Sequence, residues 1–315
     1  MSVTLEQAKL STQDDIDLNV IDEFRTNPVL DRMVFDDCVN PAGGGATLTY
    51  GYTRIATTRK AAFRAVNEEY MPSEVTRKRY VVDLKPLGGS FQIDRVIANL
   101  GPAASGEITL QMSQLIKATQ AKFGDAVVNG DSTKDVKGFD GLAKALKGSS
   151  TEDTTEHDWT GAMDTTKALS ILTDVDDLLS RLDSQATLLL GSRKVIQLVK
   201  AASRFANQYV EHVGPRDTAL PAYAGAVLVD AGLKDGSAED VIPVTAGVSA
   251  LYAVRIGLDG FHAVSTSGTP LVRTWMPDFS TSGAVKTGEV ELGPVAVVLK
   301  ASKAAGVLTN IKVGA

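Results

Sequence analysis

Three histidines (His157, His212 and His262), one cysteine (Cys38) and the adjacent acids Asp176 and Asp177 are the side chains with which this sequence could do chemistry. A zinc hydrolase places two histidines one helical turn apart around a glutamate, and here the histidines are widely separated. A thiol nucleophile needs a base, and Cys38 has neither a nearby histidine nor a second cysteine. The lone cysteine also forbids an intrachain disulfide and fits a reducing site of synthesis. Neither G-x-S-x-G nor G-x-G-x-x-G occurs, so hydrolase and dinucleotide-enzyme templates find no support. Gly43-Gly44-Gly45 lacks the following Lys-Ser/Thr of a phosphate loop and reads as a flexible joint. His262 falls on an expected strand, where packing is its ordinary role, and Asp176-Asp177 lie on the solvated flank of an expected helix. No catalytic, cofactor-binding or metal-ligating set emerges.

The elements that would carry a site are more informative. From Gly106 the chain reads as an amphipathic helix over roughly 106–128. Ile108, Met112, Leu115, Ile116, Phe123, Ala126 and Val127 fall on one face, held for about five turns. Asn129-Gly130-Asp131 stops it, because Asn-Gly favours positive φ. Lys137-Gly138-Phe139-Asp140-Gly141-Leu142 follows.

Charge is divided along the chain. Residues 1–40 carry Glu6, Asp14, Asp15, Asp17, Asp22, Glu23, Asp31, Asp36 and Asp37 against Lys9, Arg25 and Arg32. Residues 54–85 carry Arg54, Arg59, Lys60, Arg64, Arg77, Lys78, Arg79 and Lys85 against Glu68, Glu69, Glu74 and Asp83. Either these are two solvated surfaces, or the acidic segment of one subunit meets the basic excursion of another. The net charge of −6 argues against a general nucleic-acid binder. No apolar run is long enough to cross a membrane, and the N-terminus lacks the basic and apolar regions of a secretory signal.

Residues 46–58 and 75–84 alternate as strands and flank a charged connection containing Met71-Pro72, so they predict a large hairpin that cannot bury both faces by itself. Residues 143–158 read as a polar connector. Ala162–Leu182 predicts a helix with Ala168, Leu169, Ile171, Leu172, Val175, Leu178, Leu179 and Leu182 on one face. Ala186–Leu190 predicts a buried strand, and Ser192 caps a helix carrying Val195, Val199, Ala202, Phe205, Ala206 and Tyr209. Strands are expected at Ala226–Asp230 and at 249–256, giving an α/β unit. Two strands in 260–276, joined by a turn at Ser267-Gly268-Thr269, a loop at 277–288, and strands at 289–299 and 306–313 complete the chain. Residues 212–248 carry no recognisable pattern. Trp159 and Trp275 suit interface anchors or core, and Phe139 suits core.

The order of helix, Asn-Gly-Asp and Gly-Phe-Asp-Gly-Leu resembles that of tailed-bacteriophage major capsid proteins, as do Phe91-Gln-Ile-Asp-Arg95 and Ala304-Ala-Gly-Val-Leu-Thr-Asn-Ile311. The resemblance implies the α+β Hong Kong 97-type capsid fold, shared with encapsulins. It implies an N-terminal arm at 1–45, an extended hairpin (E-loop) at 46–92 and a peripheral domain with a spine helix at 93–158. An axial α/β domain at 159–260 and returning peripheral strands at 261–315 follow. It further implies self-assembly into pentamers and hexamers of an icosahedral head enclosing double-stranded DNA without sequence-specific contact. Synthesis in the host bacterial cytoplasm, location in the virion, a portal and a decoration protein belong to the same expectation. The Met start and the short arm suggest separate scaffolding or none. Arg54, Arg59, Lys60, Arg64, Glu68 and Glu69 on the hairpin, with Asp14, Asp15 and Asp17 on the arm, are the expected intersubunit contacts. Lys60 and Asn310 have the residue types of the covalent cross-link in some relatives, and their spacing lends it no support. An encapsulin shell, or a soluble α/β enzyme or binding module, are the alternative readings.

Overall fold

The structure is a computed structural model that describes residues 29–40, 47–98, 102–213, 219–268 and 270–314. A short helix α1 (Val29–Arg32) leads into β1 (Phe35–Val39), and β2 (Thr49–Thr57) and β3 (Thr76–Asp83) form the hairpin. Then come β4 (Lys85–Asp94), α2 (Arg95–Ala98), the long α3 (Pro102–Asn129) and α4 (Leu142–Leu146). Short β5 (Glu152–Asp153) and β6 (His157–Asp158) precede α5 (Thr165–Ser180), β7 (Leu188–Gly191) and α6 (Arg193–Phe205). The strands β8 (Val210–Val213), β9 (Ala219–Tyr223), β10 (Ala226–Asp230), β11 (Val248–Val254), β12 (Phe261–Thr266), β13 (Val272–Trp275), β14 (Val285–Leu299) and β15 (Ala305–Lys312) finish the chain.

A five-stranded sheet is built around β14. Its burial alternates, with Lys286, Gly288, Val290 and Leu292 covered and Val285, Thr287 and Glu289 exposed. The covered face packs on α3, where Phe91, Met112 and Val290 make one cluster and Ile93 and Ile97 another. At 28 residues, α3 is about 42 Å long at 1.5 Å per residue. Near its C-terminal end Phe123 stacks on Phe35 at 5.9 Å and meets Phe139 at a tilt, with centres 6.2 Å apart.

The eight-stranded sheet runs β5-β15-β11-β7-β10-β9-β8, with β6 also on β15. Helices α5 and α6 cover one face, burying Ile171, Val175, Leu178, Val195 and Val199 against Leu189, Leu228, Leu251 and Leu308. Both helices start as capping rules require: Asp164 accepts from Lys167 N at 2.7 Å, and Ser192 accepts from Val195 N at 3.4 Å. The other face, through Leu188, Leu190, Val229, Val254 and Val307, joins a core that also contains Phe123, Leu142, Val264 and Val297. One continuous core therefore ties the two sheets and the spine helix together.

Several expectations are corrected. The closing strand β15 does not return with 261–299; it pairs with β11 from Val254↔Ala305 to Val248↔Lys312 and so belongs to the eight-stranded sheet. The reason is burial on both faces: Ala305, Gly306, Val307 and Leu308 are all covered. Residues 261–276 form the two expected strands, which do not pair with each other. Val295 pairs with Ser265 on one edge and Lys85 on the other, and β13 takes the same edge as β12, so the two lie in line along β14. Residues 85–92, assigned by sequence to the hairpin, are a strand of the five-stranded sheet. Leu169 and Phe205, placed on buried helix faces, are 54% and 53% exposed. Each sits at the margin of its apolar stripe, where the sheet no longer reaches.

The turn after α3 is held by polar contacts. Gly141 N donates to Gly130 O at 2.8 Å, and Ser132 N donates to Asp140 Oδ1 at 2.8 Å. Lys144 Nζ bridges Asp131 at 2.7 Å and Asp140 at 2.9 Å. A Cβ on Gly141 would lie 2.5 Å from Ala126 O and 2.8 Å from Gly130 N, both fixed backbone atoms. Gly141→Ala should therefore destabilise the unassembled subunit by about 1–3 kcal/mol, read from its urea midpoint. An unchanged midpoint would mean that the turn is not locked to the helix.

Candidate assembly surfaces

The hairpin is a sheet of two strands, with β2 and β3 in register from Thr49↔Asp83 to Ile55↔Arg77 and a shift before Thr57↔Thr76. Its base is seated on the body. The Tyr52 hydroxyl donates to Leu299 O at 3.4 Å, while Leu84 N, donating to Leu48 O at 2.7 Å, closes the two legs on each other. Arg54 Nε donates to Lys300 O at 2.7 Å, and Arg54 Nη2 donates to Leu299 O. The guanidinium also lies 4.5 Å from the Tyr80 ring centre, and Tyr80 stacks on Tyr52 at 5.4 Å. Arg54 is thus engaged within its own subunit, where it anchors the ribbon. The cation–π stack explains why the arginine is held flat against the ribbon.

Beyond the anchor the ribbon leaves the body. Residues 58–72 are exposed throughout, including Arg59, Lys60, Arg64, Glu68 and Glu69. Arg64 and Glu68 fold the tip on itself: Arg64 Nη1 donates to Glu68 O at 3.3 Å, and Ala65 N donates to Glu68 Oε2 at 3.3 Å. Arg64 also lies 5.2 Å from the Tyr70 ring centre. Arg59, Lys60 and Glu69 have exposed side chains directed at no other element. Asp14, Asp15 and Asp17 lie outside the described residues.

Sequence reasoning picked the charges of the tip and missed its apolar side chains. Phe63 is 108% exposed, Met71 93% and Val66 87%, with Tyr70 also open. The signal was present: Phe63, Val66, Tyr70 and Met71 recur in a segment too polar to be a core element. A second exposed apolar group lies at the end of β13, where Val272, Trp275, Met276 and Phe279 face solvent. Its loop is ordered. Lys286, buried on β14, donates to Thr281 O at 2.7 Å and Ser282 O at 2.9 Å, and Asp278 Oδ1 accepts from Ser280 N at 2.9 Å. Trp159, by contrast, is core, with its indole N–H on Asp174 at 2.7 Å, and Phe139 is core as expected.

Of the residues with chemical potential, Cys38 and His262 both approach Asp36, while the other two histidines lie elsewhere. His157 sits between Asp153 and Asp174, His212 is on β8, and His262 is buried in the five-stranded sheet. Among the described residues no group of three or more His, Cys, Asp or Glu is placed to hold a metal ion, and no helix is long and apolar enough to cross a membrane. An open cleft of about 320 Å³ beside the turn is lined by lysines and carboxylates, with Lys122 paired to Asp125 and Lys134 to Asp131 at 4.0 Å each. The nearby Asp131 carboxyl is held far below the usual carboxylate range, first by hydrogen bonds from Lys144 and Thr133.

No family model matches the chain, and no curated protein matches its sequence. Solved structures do. The holo-SrpI encapsulin complex from Synechococcus elongatus PCC 7942 aligns over 100% of this chain and 98% of its own, at 13% identity and a TM-score of 0.66. The capsid of a native GTA particle aligns over 97% of each chain at 11% identity and a TM-score of 0.61. A structure from Mycobacterium phage Bobi aligns over 98% of this chain and 99% of its own at 13% identity and a TM-score of 0.61. At such identity the likeness defines the fold. The chain has the α+β Hong Kong 97-type capsid fold, as the sequence resemblance implied.

Removing the anchor tests how the ribbon is seated. Arg54→Ala should speed amide exchange of residues 49–57 and 76–83 by about tenfold or more, since hydrogen bonds from a charged group contribute roughly 1.5–3 kcal/mol. Helix α6 should exchange as before. Unchanged exchange in the ribbon would mean that the base is held by other contacts.

Proposed function

We propose that this chain is the shell-building subunit of a tailed phage: a major capsid protein that associates into pentamers and hexamers and closes an icosahedral head around double-stranded DNA. The observation that carries this is the hairpin tip. A subunit that exposes Phe63, Val66, Tyr70 and Met71 on a ribbon anchored only at its base has a surface made for another molecule. Burying side chains of this size contributes about 1.5–3 kcal/mol each before ordering costs. Several such modest contacts per subunit, added around a ring and then a shell, hold it without any one contact being strong. The eight-stranded unit would serve as the axial domain around the local symmetry axis, and the spine helix with the five-stranded sheet as the peripheral domain.

The rest of the reading follows from this role. The protein works by association and needs no catalytic group. A negative net charge suits a wall that encloses DNA without gripping it. The charged residues Arg59, Lys60 and Glu69 would steer the tip onto a neighbour, and the acidic arm with Asp14, Asp15 and Asp17 is a candidate partner for it. Separate scaffolding, a portal and a decoration protein would be its partners, with synthesis in the bacterial cytoplasm and residence in the virion. The likeness to an encapsulin keeps a second reading, a cellular shell around protein cargo. The contents of purified particles separate the two: nucleic acid for a head, protein for an encapsulin.

Deleting the tip from Arg59 to Glu69 should leave a subunit with its urea midpoint within about 0.5 kcal/mol of the parent, since these residues touch no core. In sedimentation it should no longer form shells. Shells of normal size from the deletion would overturn the assignment of the hairpin. Arg59→Glu should slow assembly, measured by light scattering, more at low salt than at high, because screening at about 0.1 M confines exposed charges to ~10 Å. Arg64 is the wrong residue for this test, because it folds the tip. An equal defect at both salts would remove steering by Arg59.

A further inference from the structure

His262 lies on β12 with no exposed surface, and no well-formed hydrogen bond reaches either ring nitrogen, the backbones of Gly257 and Gly260 offering only marginal ones. A buried imidazole normally finds one, so its surroundings matter. From β1, Asp36 Oδ2 stands 3.9 Å from Nε2. That carboxylate is shared, for it also meets the Tyr50 hydroxyl at 3.5 Å, Lys300 Nζ at 3.9 Å and the Cys38 thiol. From the hairpin base, the Tyr50 ring meets the imidazole edge-on, with centres 6.2 Å apart. From β14, Val298 is the register partner of His262, and Lys300 lies 5.4 Å from the Tyr50 ring centre. From the preceding turn come the backbones of Gly257 and Gly260. Burial, then Lys300, push the imidazole below its ordinary pKa; Asp36 and the two glycines oppose them without prevailing.

We propose that His262 is a proton-operated latch on the hairpin: the neutral ring lets Tyr50 seat the ribbon, and a proton on the ring lifts it. Tyr50 is the hairpin's own cover over the imidazole, at 9% exposure, and Tyr52 and Arg54 are further holds of the ribbon on the body. Lifting the base would let water reach the ring, which then regains its ordinary affinity for a proton. The lifted form thus binds the proton more tightly than the seated form. Seating is undisturbed above about pH 6.5 and weakens as pH falls below it, by at most about tenfold per unit, until the seated ring also titrates. The latch rests on the assembly reading only for its consequence, a hairpin released toward or away from a neighbour by acid.

The test is amide exchange on the unassembled full chain, corrected for the intrinsic pH dependence of exchange. In the parent, protection of residues 49–57 relative to α6 should fall several-fold, and at most about tenfold, from pH 6.5 to one unit lower. In His262→Gln, which cannot titrate, it should stay level. Equal pH dependence in both proteins, or none in the parent, overturns the latch. Should His262→Gln fail to fold, the parent's own histidine signals decide by nuclear magnetic resonance. An imidazole titrating at or above 6.5, or titrating with no response in the amides of 49–57, overturns it; a depressed titration accompanied by those amides supports it. Because subunits are measured, failure of the shell reading would show as absent shells with the latch intact.

Discussion

A two-stranded ribbon has two faces, and this chain covers neither beyond the first few residues. That constraint organises much of the molecule. Three or more strands, or a packed helix, are needed before a sheet is stable alone, so the ribbon must borrow order from its root. It does so through the stack of Tyr52, Arg54 and Tyr80 and through carbonyls at the end of β14. Farther out the tip folds only on itself, through Arg64, Glu68 and Tyr70, and its apolar side chains stay in water. A chain that keeps four large apolar groups there has a use for them outside itself.

The body supplies a rigid platform for that root. Strand β14, 15 residues long, is flanked by β4 on one edge and by β12 and β13 in line on the other. Its inner face rests on the spine helix, and the helix end is locked by the close pass of Gly130 and Gly141 and by the Lys144 bridge. The short link Ser302–Ala304 then carries the chain from β14 into β15, next to one edge of the other sheet. Motion at the hairpin root is therefore coupled by covalent and core contacts to both halves. Cores of this density pass displacement on rather than absorb it.

Much of this was legible in the sequence. The spine helix was readable from its apolar spacing, and its end from Asn129-Gly130. Ser192 announced α6. Ala226–Asp230 matched its strand to the residue, because an unbroken apolar run bounded by turns has few other uses. What failed did so for physical reasons. Lys85–Asp94 contains Pro86, Gly88 and Gly89, which argue against a strand, yet Gly88 is required because a Cβ there would lie 2.2 Å from Val290 O. The sequence marks the two strands beside Ser-Gly-Thr but not their pairing, since local sequence does not reveal a third strand pairing with both. The sheet to which β15 belongs is decided by contacts far away in sequence. At the tip, charge drew attention from the aromatic and aliphatic residues between, because charged residues label a surface and only three-dimensional isolation labels an unburied Phe63. The comparison with solved capsid and encapsulin shells sees the fold and says nothing of these contacts.

The most direct test is the mass of the purified protein by light scattering, with the same sample imaged by negative-stain electron microscopy. Self-assembly through the hairpin predicts closed polyhedral shells, or rings of five and six subunits. A monodisperse monomer or dimer, still unassembled after co-expression with a candidate scaffold, would contradict it.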